Sequence, residues 1–417
     1  MVAPVAEHPT PPPDQGRPLR RDPAFLRLWC GATLSGLATW ALPFLLGFAV
    51  VDGTLGVGQL GVVLAARTVG FLAAVPVGGV LADRHSRRAT VLWSGLAATA
   101  ATPLVVVGLG WSTTVTAIAA AVVGCGQGAC RPAYQALTAE VVVEERRQRA
   151  NAAMSLAVRG TTLAAPGLTA MLAVLLDTSA LILGTALMWL GAALLPPAGA
   201  SAPPARAEAG RSASVVGEFL DGLREARRHP WFLAGLAALS AVIATGYSAT
   251  GVILPLVSRD HYDGEFVLVA ATTGYTLGAL GFAVVVARWR PRSPGWASLF
   301  GLGLYGFAPL AMMLEAPPAA VVLAYVLAGV GIELFNVLWF TAIQREVEPR
   351  LLARVSSVDF LFSYGLAPVG LALITPAVAA GGVSTTLAVC AVVCFLAPAL
   401  AACAPGARGY SRRSVDR

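Results

Sequence analysis

Residues 78–88 read Gly78-Gly79-Val80-Leu81-Ala82-Asp83-Arg84-His85-Ser86-Arg87-Arg88. On either side, 57–81 and 90–110 are apolar, and each is long enough to cross about 30 Å of hydrocarbon. The connection between them is therefore a short, tight turn at a membrane surface. It holds one acid beside three arginines. Arginines alone would serve as surface anchors, but that role explains neither the acid nor the glycines. Gly78 and Gly79 let a neighbouring helix come close, and Asp83 can accept hydrogen bonds from a helix N-terminus or from an arginine across an interface.

Working outward, apolar stretches of similar length recur with short connections. They cover 28–50, 57–81, 90–110, 114–138, 152–174, 178–197, 231–255, 266–287, 295–314, 318–342, 355–378 and 384–404. The composition agrees: 12% of the 417 residues are charged and 57% are hydrophobic, against about 25% charged in a soluble domain. So few charges cannot cover a water-facing surface. The expected fold is an all-α membrane protein, twelve transmembrane helices in two six-helix bundles. The divisions are a tail at 1–24, a bundle at 25–198, a linker with an amphipathic helix at 199–229, a second bundle at 230–404 and a tail at 405–417. In the linker Val216, Phe219, Leu220 and Leu223 share one face, with Glu218, Asp221, Arg224 and Arg228 elsewhere. No apolar run follows the first arginines within reach of a cleavage site, so 1–24 reads as a cytosolic tail.

The chain has no lysine, so all 29 basic residues are arginine. With both ends inside, 25 of these 29 fall in cytosolic segments, Arg259 lies outside, and Arg67, Arg131 and Arg159 lie within spans. One missed helix would invert every later loop, which makes this split a strong test of topology. The expectation is a multi-pass protein of a plasma or inner membrane, both termini cytoplasmic. The two halves also match at an offset of 205 residues: Gly124-Cys125-Gly126 with Gly329-Val330-Gly331, and Arg149 with Arg354.

Several function classes fall away. Without lysine there is no P-loop, so an ATP-driven pump would need a partner for its motor. His8, His85, His229 and His261 show no paired spacing, so no metal site is expected. Cys30, Cys125, Cys130, Cys390, Cys394 and Cys403 lie in apolar runs and read as small hydrophobes. No nucleophile–base constellation points to an enzyme, and nothing points to nucleic acid.

The segment 78–88 resembles the loop signature of the major facilitator superfamily. The opening Arg21-Asp22-Pro23-Ala24-Phe25-Leu26-Arg27-Leu28-Trp29, with Thr33-Leu34-Ser35-Gly36-Leu37, resembles the drug- and siderophore-exporter branch of that family (enterobactin-exporter-like and macrolide-efflux-like proteins). So does Arg131-Pro132-Ala133-Tyr134-Gln135-Ala136-Leu137, running on to Arg149-Ala150-Asn151-Ala152. The likeness spans about 20–404. It departs at Ser86, where the family has glycine, and at Arg288-Trp289-Arg290-Pro291-Arg292, where the second-half copy has lost the acid. The resemblance implies a cytosolic gate latch built from Gly79, Asp83, Arg84, Arg87 and Arg88, with Asp359 near it. Ala164-Ala165-Pro166-Gly167 is similar to the Gly-Pro element of the family's antiporters, and Pro166 and Gly167 predict a helix bend.

Charges within the bilayer cost several kcal/mol unless paired or wet, so they mark function. Arg67, Arg131 and Arg159 face Glu333 and Asp359 in this respect, and Asn336 shares the face of Glu333. The resemblance places Arg131 and Glu333 on cavity-lining helices of opposite halves. Glu333 is the expected proton-coupling carboxylate, its affinity for a proton set by burial and by Arg131 or substrate. Exchange of a proton for a cationic or polar substrate there gives antiport. A static Glu333–Arg pair joining the bundles is the alternative, and Asp359 reads as structural, paired with an inner-surface arginine. Trp40, Tyr134, Tyr247, Phe335 and Trp339, with Tyr275 and Tyr364, could stack a substrate or pack helices. Trp111, Trp231 and Trp289 sit at span ends as interfacial anchors.

The reading is a secondary transporter, expected to be a monomer. It exports a drug, antibiotic or siderophore by alternating access, uses the proton gradient and needs no cofactor. Import or facilitated passage of a small solute, and a non-transporting sensor or accessory subunit, are the alternatives.

Overall fold

The computed structural model describes residues 18–199, 214–262 and 264–411. The Pro-rich first tail, the opening of the linker and the last arginines lie outside the described residues.

Helix starts follow local chemistry. Asp22 caps α1 (Pro23–Val51), its carboxylate accepting from the N–H groups of Ala24 and Phe25, with Pro23 in the first helical position. α2 (Val57–Arg84) is followed by α3 (Arg87–Gly108), capped by Ser86, and α4 (Thr113–Val141), capped by Ser112. α5 (Arg147–Leu172) and α6 (Thr178–Leu194) complete the first six. The amphipathic α7 (Val215–Arg227) lies in the linker. Proline again opens α8 (Pro230–His261), α10 (Pro294–Met313) and α11 (Pro318–Glu346), with α9 (Phe266–Val286) between them. A final run, Leu352–Ala401, is broken at Gly382, whose φ of 79° suits glycine, into α12 (352–381) and α13 (383–401). The described chain thus crosses twelve times, six helices on either side of α7.

The repeat at offset 205 has a steric meaning. A Cβ on Gly124 of α4 would run into the Arg67 carbonyl of α2, and one on Gly126 would meet the Ser94 carbonyl of α3. In the second half a Cβ on Gly329 of α11 would strike the Tyr275 carbonyl of α9, and one on Gly331 the Gly301 carbonyl of α10. Each central helix therefore lies backbone-to-backbone against two neighbours in the same way. In lipid, such close approach replaces the hydrophobic effect as the source of helix association.

The second half closes around a ring cluster. Trp339 stacks on both Phe232 and Phe335, with centroids 5.2 Å away in each case, and Trp231 meets Trp339 edge-on at 5.6 Å. Trp231 is therefore a core residue rather than an interfacial anchor, unlike Trp111 and Trp289, which are exposed. The segment after 404, read as a tail, is docked as far as Ser411. Tyr410 enters the cluster beside Trp231, its hydroxyl donates to the Ser298 hydroxyl, and Arg345 donates to the Gly409 and Tyr410 carbonyls. Burial pushes the Tyr410 hydroxyl above the usual phenol range.

Candidate functional site

The turn at 83–88 joins the halves on the face that carries both described chain ends. Ser86 has an extended backbone (φ −167°) and its hydroxyl accepts from the Ala89 N–H, so it starts α3 and needs no glycine there. The Asp83 side chain is wholly enclosed. It accepts from the Ala353 N–H at 3.2 Å and the Arg354 N–H at 2.9 Å, in the first turn of α12, where the helix dipole favours an anion. Arg87 sits 3.4 Å from Asp83 and 2.8 Å from Glu140, and donates to the Pro349 carbonyl of the second half. Gly79 makes this approach possible, since a Cβ there would stand 2.7 Å from the Ser357 Cβ.

Arg84 reaches Glu218 of α7 at 3.6 Å, and Glu218 in turn accepts from Arg354 at 2.7 Å. The linker helix thus ties both halves, a role the sequence reading missed although Glu218 stood out on its polar face. Arg88 is not part of this arrangement. It donates to the Leu194 carbonyl of its own half. Asp359 is also placed differently from expectation: it is buried in the second half and accepts from the Trp339 indole at 2.9 Å, and among the described residues no arginine forms an ion pair with it.

A polar seam runs inward from the latch along α5. Arg147 donates to the Gln344 carbonyl, and Gln148 to the carbonyls of Val286 and Trp289. Asn151 donates to Gln344 and Thr341, both at 2.9 Å. Asn151 and Gln344 were missed as a pair, though an amide inside an otherwise apolar span is a signal that could have found them.

At the seam's inner end Glu333 of α11 is fully buried. One of its oxygens accepts from the Ser155 hydroxyl at 2.7 Å and lies 3.7 Å from the Arg159 guanidinium; both partners belong to α5 of the other half. Its second oxygen has no hydrogen-bond partner among the described residues. Arg131, the expected partner, pairs instead with Tyr364 of α12, whose hydroxyl is 3.4 Å away and whose ring centroid is 5.6 Å away. Arg67 donates to the Thr39 carbonyl at 2.9 Å and to Gln127 at 2.7 Å. Asn336 is partly exposed.

The aromatic candidates divide. Phe335 and Trp339 are 0% exposed within the ring cluster, and Tyr134 is buried with its hydroxyl donating to the Ala192 carbonyl, so these three serve packing. Tyr247 is 47% exposed and Tyr364 38%. The Arg159 guanidinium lies 5.8 Å from the Tyr275 ring centroid. Trp40 is partly exposed. Pro166 lies inside the continuous helix α5, and a Cβ on Gly167 would meet open space, so no close helix approach depends on it.

Every hydrogen bond between the halves, among the described residues, falls between the latch face and the level of Arg159. That level is about 18 Å along α5 from Arg147. Beyond it the halves are not joined by hydrogen bonds. Hydrogen bonds among the described residues thus close the interface on the face of the chain ends.

Comparisons with known proteins agree with this architecture. No curated protein sequence is detectably similar to the chain. The solved human organic anion transporter MFSD10 superposes with a TM-score of 0.74 at 15% identity, over 92% of this chain and 100% of that one. A bacterial homologue of the iron transporter ferroportin, in an outward-facing state, gives 0.71 at 16% identity over 91% and 98%. The proton:xylose symporter bound to 6-bromo-6-deoxy-D-glucose gives 0.64 at 14% over 90% and 95%. At such identities the likeness is one of fold. The family model described as Major Facilitator Superfamily matches residues 28–371, most of the chain. The protein is a multi-pass membrane transporter rather than an enzyme, and it belongs to the major facilitator superfamily.

Proposed function

We propose that the chain is a proton-coupled exporter of a small organic molecule such as a drug, antibiotic or siderophore, working by alternating access. It sits in a plasma membrane with both ends in the cytosol, the orientation favoured by the arginine distribution. In that orientation the latch is cytosolic, and the part of the interface without hydrogen bonds among the described residues faces outward. Among the described residues no three His, Cys, Asp or Glu side chains converge, which favours an organic cargo over a metal.

One observation carries the reading: Glu333, fully buried, is bound across the bundle interface to Ser155 and Arg159. As a carboxylate it holds the two halves together at the floor of the outward cavity. Taking up a proton from outside removes its charge, weakens its hold on Arg159 and lets the halves part on the cytosolic side. Asp83 then releases the N-terminus of α12 and the cavity opens inward. There the proton leaves, substrate enters, and the ion pair re-forms as the cytosolic side closes.

The test is flux in proteoliposomes under an imposed pH gradient. Glu333→Gln should lose the gradient-driven component and retain gradient-free exchange of labelled substrate. Full proton-driven flux by this variant would remove Glu333 from the coupling role.

A further inference from the structure

The charges around the space between the halves do not balance. Arg67, Arg131 and Arg159 come from α2, α4 and α5, and Glu333 is the acid that answers them. Glu333 is taken by Arg159. Asp359, the other acid deep within a span, is enclosed in the second half with Trp339. Among the described residues no carboxylate lies within ion-pair distance of Arg67 or Arg131.

What surrounds these two arginines is neutral. Arg67 uses one terminal nitrogen on the Thr39 carbonyl and on Gln127, while its buried Nε–H has no partner. Arg131 is partly exposed and rests against Tyr364, and it lies one turn along α4 from Gln127, the residue that Arg67 contacts. Two cations of like sign, held close in a region of low dielectric, repel. A bundle that needed only hydrogen bonds here could use glutamine. The unsatisfied donor and the uncompensated charge are both relieved by the same kind of ligand, a small anion.

Resting on the transporter reading above, we infer that the cavity takes an organic anion, an aromatic body bearing a carboxylate, sulfonate or phosphate. Its oxyanion binds between the Arg131 guanidinium, the Tyr364 hydroxyl and the Nε–H of Arg67. Its body lies along the Tyr364 and Tyr247 rings. The site spans both halves, since Arg67 and Arg131 belong to one and Tyr364 to the other, so the ligand is sensed by both as they rock.

Two dyes with the same xanthene skeleton and opposite charge test this on the purified full-length protein: anionic fluorescein and cationic rhodamine 6G, followed by anisotropy. Fluorescein should bind saturably and rhodamine 6G should not. Arg131→Gln should weaken fluorescein binding about tenfold or more, Arg131→Lys only about threefold because charge is kept and the planar fork lost, and Tyr364→Phe about threefold. Thermal unfolding of each variant checks that it is folded, and Tyr364→Phe, which removes a single oxygen, keeps the test valid if Arg131→Gln is not. Absence of saturable fluorescein binding, tighter binding of rhodamine 6G, or an unchanged affinity in folded Arg131→Gln overturns the anion site. So does displacement of fluorescein by phosphatidylglycerol nanodiscs at low lipid, which would assign the arginines to a lipid headgroup. If fluorescein binds with the expected variant pattern but proteoliposomes do not move it, the anion site stands and the transport reading fails instead.

Discussion

The two halves of the molecule are alike in backbone and unlike in charge. Gly124 and Gly126 do for α4 what Gly329 and Gly331 do for α11, each letting one helix lie against two others. The polar groups follow no such repeat. Asp83 has no counterpart in the second-half loop 288–292, and Arg149, matched in sequence to Arg354, is exposed while Arg354 joins the latch. The two strong crossings between halves also run in opposite senses. At the surface the first half supplies the acceptor, Asp83; at the centre the second half supplies it, Glu333. Steric contact sets the repeat, because both halves must build the same bundle. Charge need not repeat, because one latch and one central carboxylate suffice to hold two bodies together at one end.

The largest effect is expected where the halves agree. Gly124→Val and Gly329→Val each drive a side chain into a facing backbone that cannot rotate away, so each should cost roughly 3 kcal/mol or more. Thermal unfolding in detergent should fall by similar amounts for the two. A tolerated substitution on one side only would break the equivalence of α4 and α11.

A smaller effect belongs to the crossing that is not repeated. Asp83→Asn keeps the shape but removes the charge that Arg87 and the α12 N-terminus face, which should weaken closure by about 2 to 3 kcal/mol. That is a shift of roughly 30- to 150-fold in the balance of the two states. Distances between spin labels at Gly53 and Glu265, on loops of the opposite face, should shorten as the cavity closes there. Arg290→Ala, which loses only an exposed bond to the Glu145 carbonyl, should leave them unchanged. An equal response to both would mean that the acid in the first-half turn has no special role.

The fold was legible because lipid makes it so: apolar length and arginine placement are signals the sequence carries by itself. Span limits differ mainly where apolar composition fades before the helix does, as in α5, whose polar first turns carry Arg147 and Asn151. The site was legible in its members but not in their pairings. Sequence marked Glu333, Arg131 and Arg159, yet which arginine meets the carboxylate depends on helix rotation and on where α5 crosses α11. The same limit applies to Phe335 and Trp339. They share a helix with Glu333, but one helix has a face for the cavity and a face for its neighbours, and the sequence of α11 is too uniformly apolar to tell these apart. Glu218 escaped notice for another reason. A charge on an amphipathic linker reads as solvent-facing until the partner that covers it is known.

Glu218 also gives the smallest effect and the finest probe of the asymmetry. It lies between Arg84 of the first half and Arg354 of the second, and the α7 backbone is pressed against Arg354 at Gly222. Arg84 is about half exposed, so its share of the interaction is screened by water and salt; the bond to the better covered Arg354 contributes more. Glu218→Gln should therefore weaken closure by about 1 kcal/mol, a shift of roughly fivefold in the same label distances. Raising the ionic strength should reduce the difference between wild type and variant. If Glu218→Gln matched Asp83→Asn in size, the linker helix would be an equal member of the latch rather than a brace on it. The two halves would then be held by three bodies, not two.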